Sequence, residues 1–275
     1  RVGYPAAEEF CGADLMLRPR LIPCLLVHNG GLVKTVKFGE PKYVGDPINA
    51  VRIFNEKEVD ELVLLDIDAT IKGVEPDYQM ISYLATECRM PLCYGGGVRT
   101  VAQIERIISL GVEKVAISSA AVESPTLISD AASRVGSQSI VVVIDVKKSG
   151  LLRRYEVVTH NGSRRTGLNP VEFARRMADL GAGEIVVNSV DRDGEMKGYD
   201  LELVESIRQA VNLPLTALGG AGNLGDVKDL FGKYGIVGAA AGSLFVFKGK
   251  YRAVLINYPN RVEKSALLPH QGDRS

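Results

Sequence analysis

Residues 213–247, LPLTALGGAGNLGDVKDLFGKYGIVGAAAGSLFVF, hold two apolar runs with one amphipathic segment between them. The first run ends in Leu218-Gly219-Gly220-Ala221-Gly222 and the second in Ala241-Gly242-Ser243. Peptide N–H groups at glycine turns and helix starts can receive an anion with no side chain in the way. A single glycine in such a place more often only makes a tight turn. Here the arrangement occurs twice. Residues 90–122, MPLCYGGGVRTVAQIERIISLGVEKVAISSAAV, close one run on Gly95-Gly96-Gly97 and the next on Ser118-Ser119. Gly95 and Ser118 are 23 positions apart, and so are Gly219 and Gly242. Two such pairs in register predict one phosphate site in each half of a duplicated chain.

Outward from these stretches, short β-branched runs alternate with segments of helical period. Strands are expected at 21–27, 61–67, 90–95, 114–118, 139–146, 184–190, 213–218 and 235–241. Helices are expected at 47–59, 76–88, 100–111, 124–135, 169–180, 200–211 and 223–234, with a last one near 249–257. Asp46-Pro47, Glu75-Pro76, Ser124-Pro125 and Asn169-Pro170 place proline at or near a first helical turn. Nearly continuous apolar strands suit a parallel sheet buried on both faces. Eight strands, each followed by a helix, point to an α/β fold, a (β/α)8 TIM barrel with a half-barrel internal repeat. An open doubly wound sheet is the alternative, but no G-x-G-x-x-G fingerprint follows the first strand. In a barrel the C-terminal strand ends carry chemistry, which would gather Leu26, Asp66, Asp68, Gly95–Gly97, Ser118, Asp145, Asp193, Gly219–Gly222 and Ser243 on one side.

The 275 residues are expected to divide into an extension or remnant at 1–15, a single barrel domain at 16–262 and a C-terminal tail at 263–275, a natural start at Met16 fitting better than one at Arg1. Lys+Arg and Asp+Glu both total 33, so charge offers no argument for nucleic acid or a membrane surface, and an anionic ligand must be held locally. No apolar run is long enough to span a bilayer. Cys11, Cys24, Cys88 and Cys93 lack paired spacing and read as reduced thiols of a cytoplasmic protein. His28, His160 and His270 show no metal-ligand spacing, so neither a metal nor a cofactor is expected. Residues 28–46 read as a long polar loop, a lid or a mobile connection, and 155–167 as a β-hairpin turning at Asn161-Gly162.

Asp145 is the candidate acid–base group, a carboxylate at the barrel mouth between the two cradles; a structural strand-end aspartate is the competing account. Asp193 and Gly194 fall in DRDG, where ligand binding competes with a simple Asx-turn. Arg20, Glu61, Lys114 and Glu184 each stand at or just before a strand start. They could close into a neutral ring at the other end of the barrel, although strand-start charges are usually solvated.

KYVGDP, ELVLLDI, YGGGVRT, GVEKVAISSAAVE, GSQSIVVVID, GAGEIVVNSVDRDGEMKGYD and GGAG together resemble the cyclase subunit family of imidazole glycerol phosphate synthase, HisF. The resemblance runs from about Arg20 to about Tyr258. It implies a (β/α)8 barrel partnered at its N-terminal face by a class I glutaminase of HisH type. Ammonia would pass through the barrel to a bis-phosphorylated ribulosyl ligand at the C-terminal face. Position by position it implies phosphate binding at Gly97 and Ser119 on one side, and at Asp193, Gly194, Gly220, Gly242 and Ser243 on the other. It makes Arg20, Glu61, Lys114 and Glu184 the ammonia gate and Asp145 the second catalytic aspartate. The first is absent: the family's CLDVKDG reads CLLVHNG here, with Leu26 for the aspartate and His28 for the lysine. Ser118 stands where the family usually has asparagine. This pattern is similar to HisF-like paralogues associated with glycosyl amidation in surface-polysaccharide gene clusters. The resemblance therefore implies an ammonia-passing subunit, with a sugar amidotransferase as a further candidate partner. An active cyclase/lyase of histidine biosynthesis and a non-catalytic activator of the glutaminase are the alternatives.

Overall fold

The computed structural model describes residues 18–150 and 153–268. The expected extension at 1–15, the start at Met16, Cys11, His270 and the last residues of the expected tail lie outside them. Eight parallel strands form the barrel: β1 (Arg20–His28), β2 (Leu62–Asp66), β3 (Leu92–Gly95), β4 (Lys114–Ile117), β5 (Ile140–Ser149), β6 (Glu184–Ser189), β7 (Leu215–Leu218) and β8 (Gly238–Ala241). Each pairs with the next, β8 pairs with β1, and β5 with β6, so the sheet closes on itself. Gly95 and Gly219 end β3 and follow β7, while Ser118 and Gly242 follow β4 and β8. The repeated spacing therefore maps onto equivalent strands of the two halves.

Seven helices follow the first seven strands: α1 (Pro47–Glu56), α2 (Tyr78–Glu87), α3 (Val101–Ser109), α4 (Thr126–Val135), α5 (Pro170–Asp179), α6 (Leu201–Arg208) and α7 (Leu224–Tyr234). Their starts follow local chemistry. Asp46 accepts from the Asn49 amide with Pro47 in the first turn of α1, and Asn169 caps α5 ahead of Pro170. Thr100 with Gln103 and Asn223 with Asp226 form reciprocal capping boxes on α3 and α7. The larger core lies between strands and helices and includes Phe54, Ile81, Ile104, Ile128, Phe173, Ile207 and Phe231. A second, smaller core fills the barrel axis with Ile22, Cys24, Val63, Cys93, Ala116, Val141, Val143, Val186, Leu218 and Ala240.

Two expectations are corrected. Residues 28–46 are not an open loop. Gly31–Lys34 folds back onto β1, pairing Leu26 with Val33 and His28 with Gly31, and Lys42–Gly45 pairs with it in turn. Burial of Leu32 and Val33 explains why this polar-looking stretch forms a meander. Residues 249–257 are not helical: Phe247–Lys248 and Ala253–Val254 form a small antiparallel pair around Gly249 and Arg252, both at positive φ. A short helix comes later, at Arg261–Ser265, where Lys264 reaches Asp60 at 2.6 Å. Leu267 is buried beyond it, so packing continues past the expected boundary at 262. The hairpin expected at 155–167 is present, with Arg154–Thr159 paired to Arg164–Arg165 and to the end of β5.

Phe231 on α7 is fully buried against the barrel, whereas Tyr251 is 90% exposed. Phe231→Ala is expected to cost about 3–5 kcal/mol in urea unfolding, and Tyr251→Ser to stay within about 0.5 kcal/mol. Equal effects of the two would contradict the placement of α7.

Candidate functional site

Strand alternation builds the site. Side chains two apart share a face, so β1 aims Arg20, Ile22, Cys24, Leu26 and His28 inward, and β6 aims Glu184, Val186 and Asn188 inward. β4 continues the pattern with Lys114, Ala116 and Ser118. Charged residues thus enter at the N-terminal end, apolar ones line the middle, and polar ones meet at the C-terminal mouth.

At the N-terminal end the four expected residues close into a ring. Lys114 Nζ lies 2.9 Å from Glu61 Oε1 and 2.9 Å from Glu184 Oε2. Arg20 bonds Glu61, and its Nη2 lies 2.7 Å from Glu184 Oε1. Each carboxylate therefore bridges both cations. Thr216, which sequence reasoning missed, donates to Glu184 Oε1 at 2.6 Å. Burial alone would raise the Glu184 carboxyl; Arg20 and Lys114 outweigh it and hold it down to about 2. Burial works to lower Lys114, and the two glutamates overcome it and raise it. Above the ring, the space left among the apolar axial side chains is about 10 Å³, room for about one water-sized molecule.

The axis opens into a cavity of about 420 Å³ at the C-terminal mouth. Cys24, Leu65, Ala116, Val143 and Leu218 line both spaces, so the axial space and the cavity are neighbours across these side chains. Asp145 stands at this junction. Its Oδ1 accepts from Asn188 Nδ2 at 2.8 Å and its Oδ2 from Ser118 Oγ at 3.1 Å. Burial pushes its carboxyl up to about 6, against those two hydrogen bonds and aided by the nearby Asp193. Asn188, the register partner of Asp145, was not foreseen from the sequence. Counting in twos from Glu184 would have found it. Leu26 lines the same cavity, so where β1 and β5 could each present an inward carboxyl, only β5 does, through Asp145.

Of the expected phosphate-binding residues, Gly97, Ser119, Asp193 and Gly242 line the cavity, whereas Gly194, Gly220 and Ser243 do not. The β1 meander covers Gly194, while Gly220 lies against Gly198 and Arg192. Lys34 Nζ lies 2.8 Å from Asp193 Oδ1, with both groups buried, and its stem lies against Gly242. The Lys37 amide donates to the Asp193 carbonyl at 2.9 Å. Gly194 has φ +71°, and a Cβ there would lie 2.5 Å from the Thr35 carbonyl oxygen. On the opposite rim His28 Nδ1 lies 2.6 Å from Asp68 Oδ1, and Lys72 reaches Asp68 and Asn29 at 2.9 and 2.7 Å. Asp66 also lines the cavity, and its Oδ1 accepts from the amides of Asp68 and Ala69 at the start of the short helix Ala69–Lys72. The hairpin tip crosses the mouth: Asn161 donates to the Ile67 carbonyl at 2.8 Å, and the His160 amide to Ser119 Oγ at 3.2 Å. Among the described residues no group of three His, Cys, Asp or Glu side chains is arranged to hold a metal ion, and no helix is long and apolar enough to cross a membrane.

Residues 20–252 match the family described as histidine biosynthesis protein. A protein of Leptospira borgpetersenii, provisionally named imidazole glycerol phosphate synthase subunit HisF, is 57% identical over 254 residues, covering 92% of this chain and 100% of that one. A protein of Pseudomonas aeruginosa, provisionally named subunit hisF2 of the same synthase, is 55% identical, covering 89% of this chain and 97% of its own. Imidazole glycerol phosphate synthase subunit HisF of Alkaliphilus metalliredigens is 45% identical over 84% of this chain and 91% of its own.

The Asp145 shift carries a pH signature. Its folded value of about 6 lies above the ordinary 3.8, so the folded chain holds the proton longer and loses stability as pH rises from about 4 through 6. Asp145→Asn removes that titration. The variant is expected to gain about 1–3 kcal/mol on wild type between pH 4 and pH 7.5, read from urea unfolding at both pH values. A difference that does not change with pH would contradict a buried carboxyl.

Proposed function

Because the chain belongs to the histidine biosynthesis protein family, as a HisF-like member, we propose that it receives ammonia at the charged ring and passes it through the barrel to the mouth cavity. Its partner is a class I glutaminase of HisH type, docked at the N-terminal face around Arg20, Glu61, Lys114 and Glu184. The observation that carries the reading is the continuous inward face: a neutral ring of four paired charges, an apolar axis, then Asp145. Such an axis selects the neutral species. Burying an ammonium ion without a counter-charge costs several kcal/mol, whereas ammonia sheds only ordinary hydrogen bonds.

At the exit the chain departs from a two-carboxylate lyase. Leu26 neither gives nor takes a proton, so of the inward pair Leu26 and Asp145, near the ends of β1 and β5, only Asp145 can exchange one with an ammonia or ligand group. Its elevated carboxyl suits that exchange near neutral pH. The reading supported best is delivery of ammonia for amidation of a surface-polysaccharide sugar, with a sugar amidotransferase as the consuming partner and a phosphorylated small molecule in the cavity. The second reading is cyclase/lyase action in histidine biosynthesis, favoured by the retained Asp145 and the glycine turns at Gly97 and Gly220.

Ammonia-driven turnover of the ribulosyl cyclase substrate separates the two. Wild type is expected to run at least about 10²-fold below Leu26→Asp, the usual worth of a positioned acid–base group. Wild-type turnover of about 1 s⁻¹ or more, in the range of ordinary enzymes, would contradict the delivery reading and support the cyclase.

A further inference from the structure

The inward face of β5 does not stop at Asp145. The strand runs on to Ser149, roughly 13 Å past that carboxyl, and alternation keeps Lys147 and Ser149 on the same face. Arg154–Thr159 pairs with this extension, setting Arg154 opposite Ser149 and Glu156 opposite Lys147. Arg165 stands opposite Val158 on the next strand. Residues directly opposite share a face, so the face that continues the lumen above the mouth carries Lys147, Arg154, Glu156 and Arg165. The other face is fastened to the barrel. Val146 and Val157 lie in the larger core, the Lys148 amide donates to Asp191 Oδ2 at 2.7 Å, and Tyr155 Oη donates to Asp200 Oδ1 at 2.8 Å. The ribbon is therefore held in place over the mouth.

Between Lys147 and Arg165 stand six Lys or Arg side chains and one carboxylate, Glu156, in a chain whose charges cancel as a whole. Glu156 is saturated within the ribbon: it accepts from Ser149, from Arg165 Nη2 at 2.6 Å and from the Gly167 amide at 2.8 Å. Lys148 pairs with Glu202 and Arg164 with Glu123. Lys147, Arg153 and Arg154 are exposed, and among the described residues none of the three has an ion pair. Charge on an outlying strand can serve only to prevent unwanted pairing. Either sign would do that, whereas here one sign collects above the outlet.

The width of the patch selects its occupant. From Arg154 to Val158, the position opposite Arg165, is four residues, roughly 13 Å of strand, too wide for one phosphate group to bridge. Glu202 and Glu123, beside the ribbon, are 77% and 53% exposed, so a uniformly anionic sheet such as a membrane surface would meet their carboxylates as well. A protein with a local acidic patch meets the cations and avoids them.

We propose that the protein consuming the ammonia docks over the mouth through an acidic patch seated on Lys147, Arg153 and Arg154 of the β5 ribbon. This rests on the delivery reading above and names the surface its consuming partner uses.

Amidation of the sugar acceptor is followed with the glutaminase, the full chain and increasing amidotransferase, at about 50 and about 200 mM NaCl, between which screening differs. Wild type is expected to need several-fold more amidotransferase for half-maximal product at the higher salt. The double variant Lys147→Glu/Arg154→Glu is expected to raise the requirement at least about tenfold at the lower salt and to flatten the salt dependence, as interface charges that steer association do. Glutamine hydrolysis stays unchanged, and Lys147→Gln/Arg154→Gln falls between. Far-ultraviolet circular dichroism checks that both variants fold. An unchanged half-saturation overturns the proposal, as does a lower maximal rate at the same half-saturation, or retention of wild type but not the double variant on phosphatidylglycerol vesicles. No product from wild type at any amidotransferase concentration would remove the delivery reading itself, so the two failures are distinct.

Discussion

Every second residue of eight tilted strands points at one axis, and that single constraint places everything of interest in this molecule. From Glu184 to Asn188 is four residues, roughly 13 Å of strand, and over that distance the inward face changes from ionic to apolar to polar. Shifting any strand by one residue would turn its lumen residue outward and its gate residue into the helical layer. The register pairs around the barrel, such as Asn188 with Asp145 and Cys24 with Val63, are therefore functional statements as much as structural ones.

The ring at the N-terminal end is a poor device for stability alone. Two carboxylates and two cations are brought out of water, and well-packed apolar residues of similar volume would serve a barrel floor as well or better. As the ammonia entrance proposed above, the ring would have a use that packing alone does not give it. Alternating charges satisfy one another, so the ring is closed in this structure, and on the proposed reading a partner docked on that face would loosen it. The depressed Glu184 carboxyl keeps the pairing intact at every pH above about its ordinary value.

Much of this was legible in the sequence. The strand runs, the proline-marked helix starts and the matched spacings of 23 define the barrel and its two halves. Arg20, Glu61, Lys114 and Glu184 stood out because charge at a strand start is conspicuous, and the structure brings all four together. Thr216 and Asn188 were missed because they are mild polar residues inside apolar runs; only the two-residue period, followed along each strand, exposes them. The meander at 28–46 was hidden by its lysines and glycines. Its order comes from pairing with the end of β1 and from the Lys34–Asp193 contact 159 positions away, which no local pattern contains. Likewise 249–257 looked helical by position after the last strand, while Gly249 and Arg252 adopt turn conformations instead.

The central claim is that ammonia crosses the barrel interior and does not equilibrate with solvent. The most direct measurement uses the chain with its glutaminase and sugar acceptor, glutamine carrying ¹⁵N in its amide, and excess unlabelled ammonium in solution. The predicted product keeps the ¹⁵N label with wild type and loses it with Ala240→Leu, which fills the narrow axis. A wild-type product labelled only in proportion to the ammonium in solution would contradict the account.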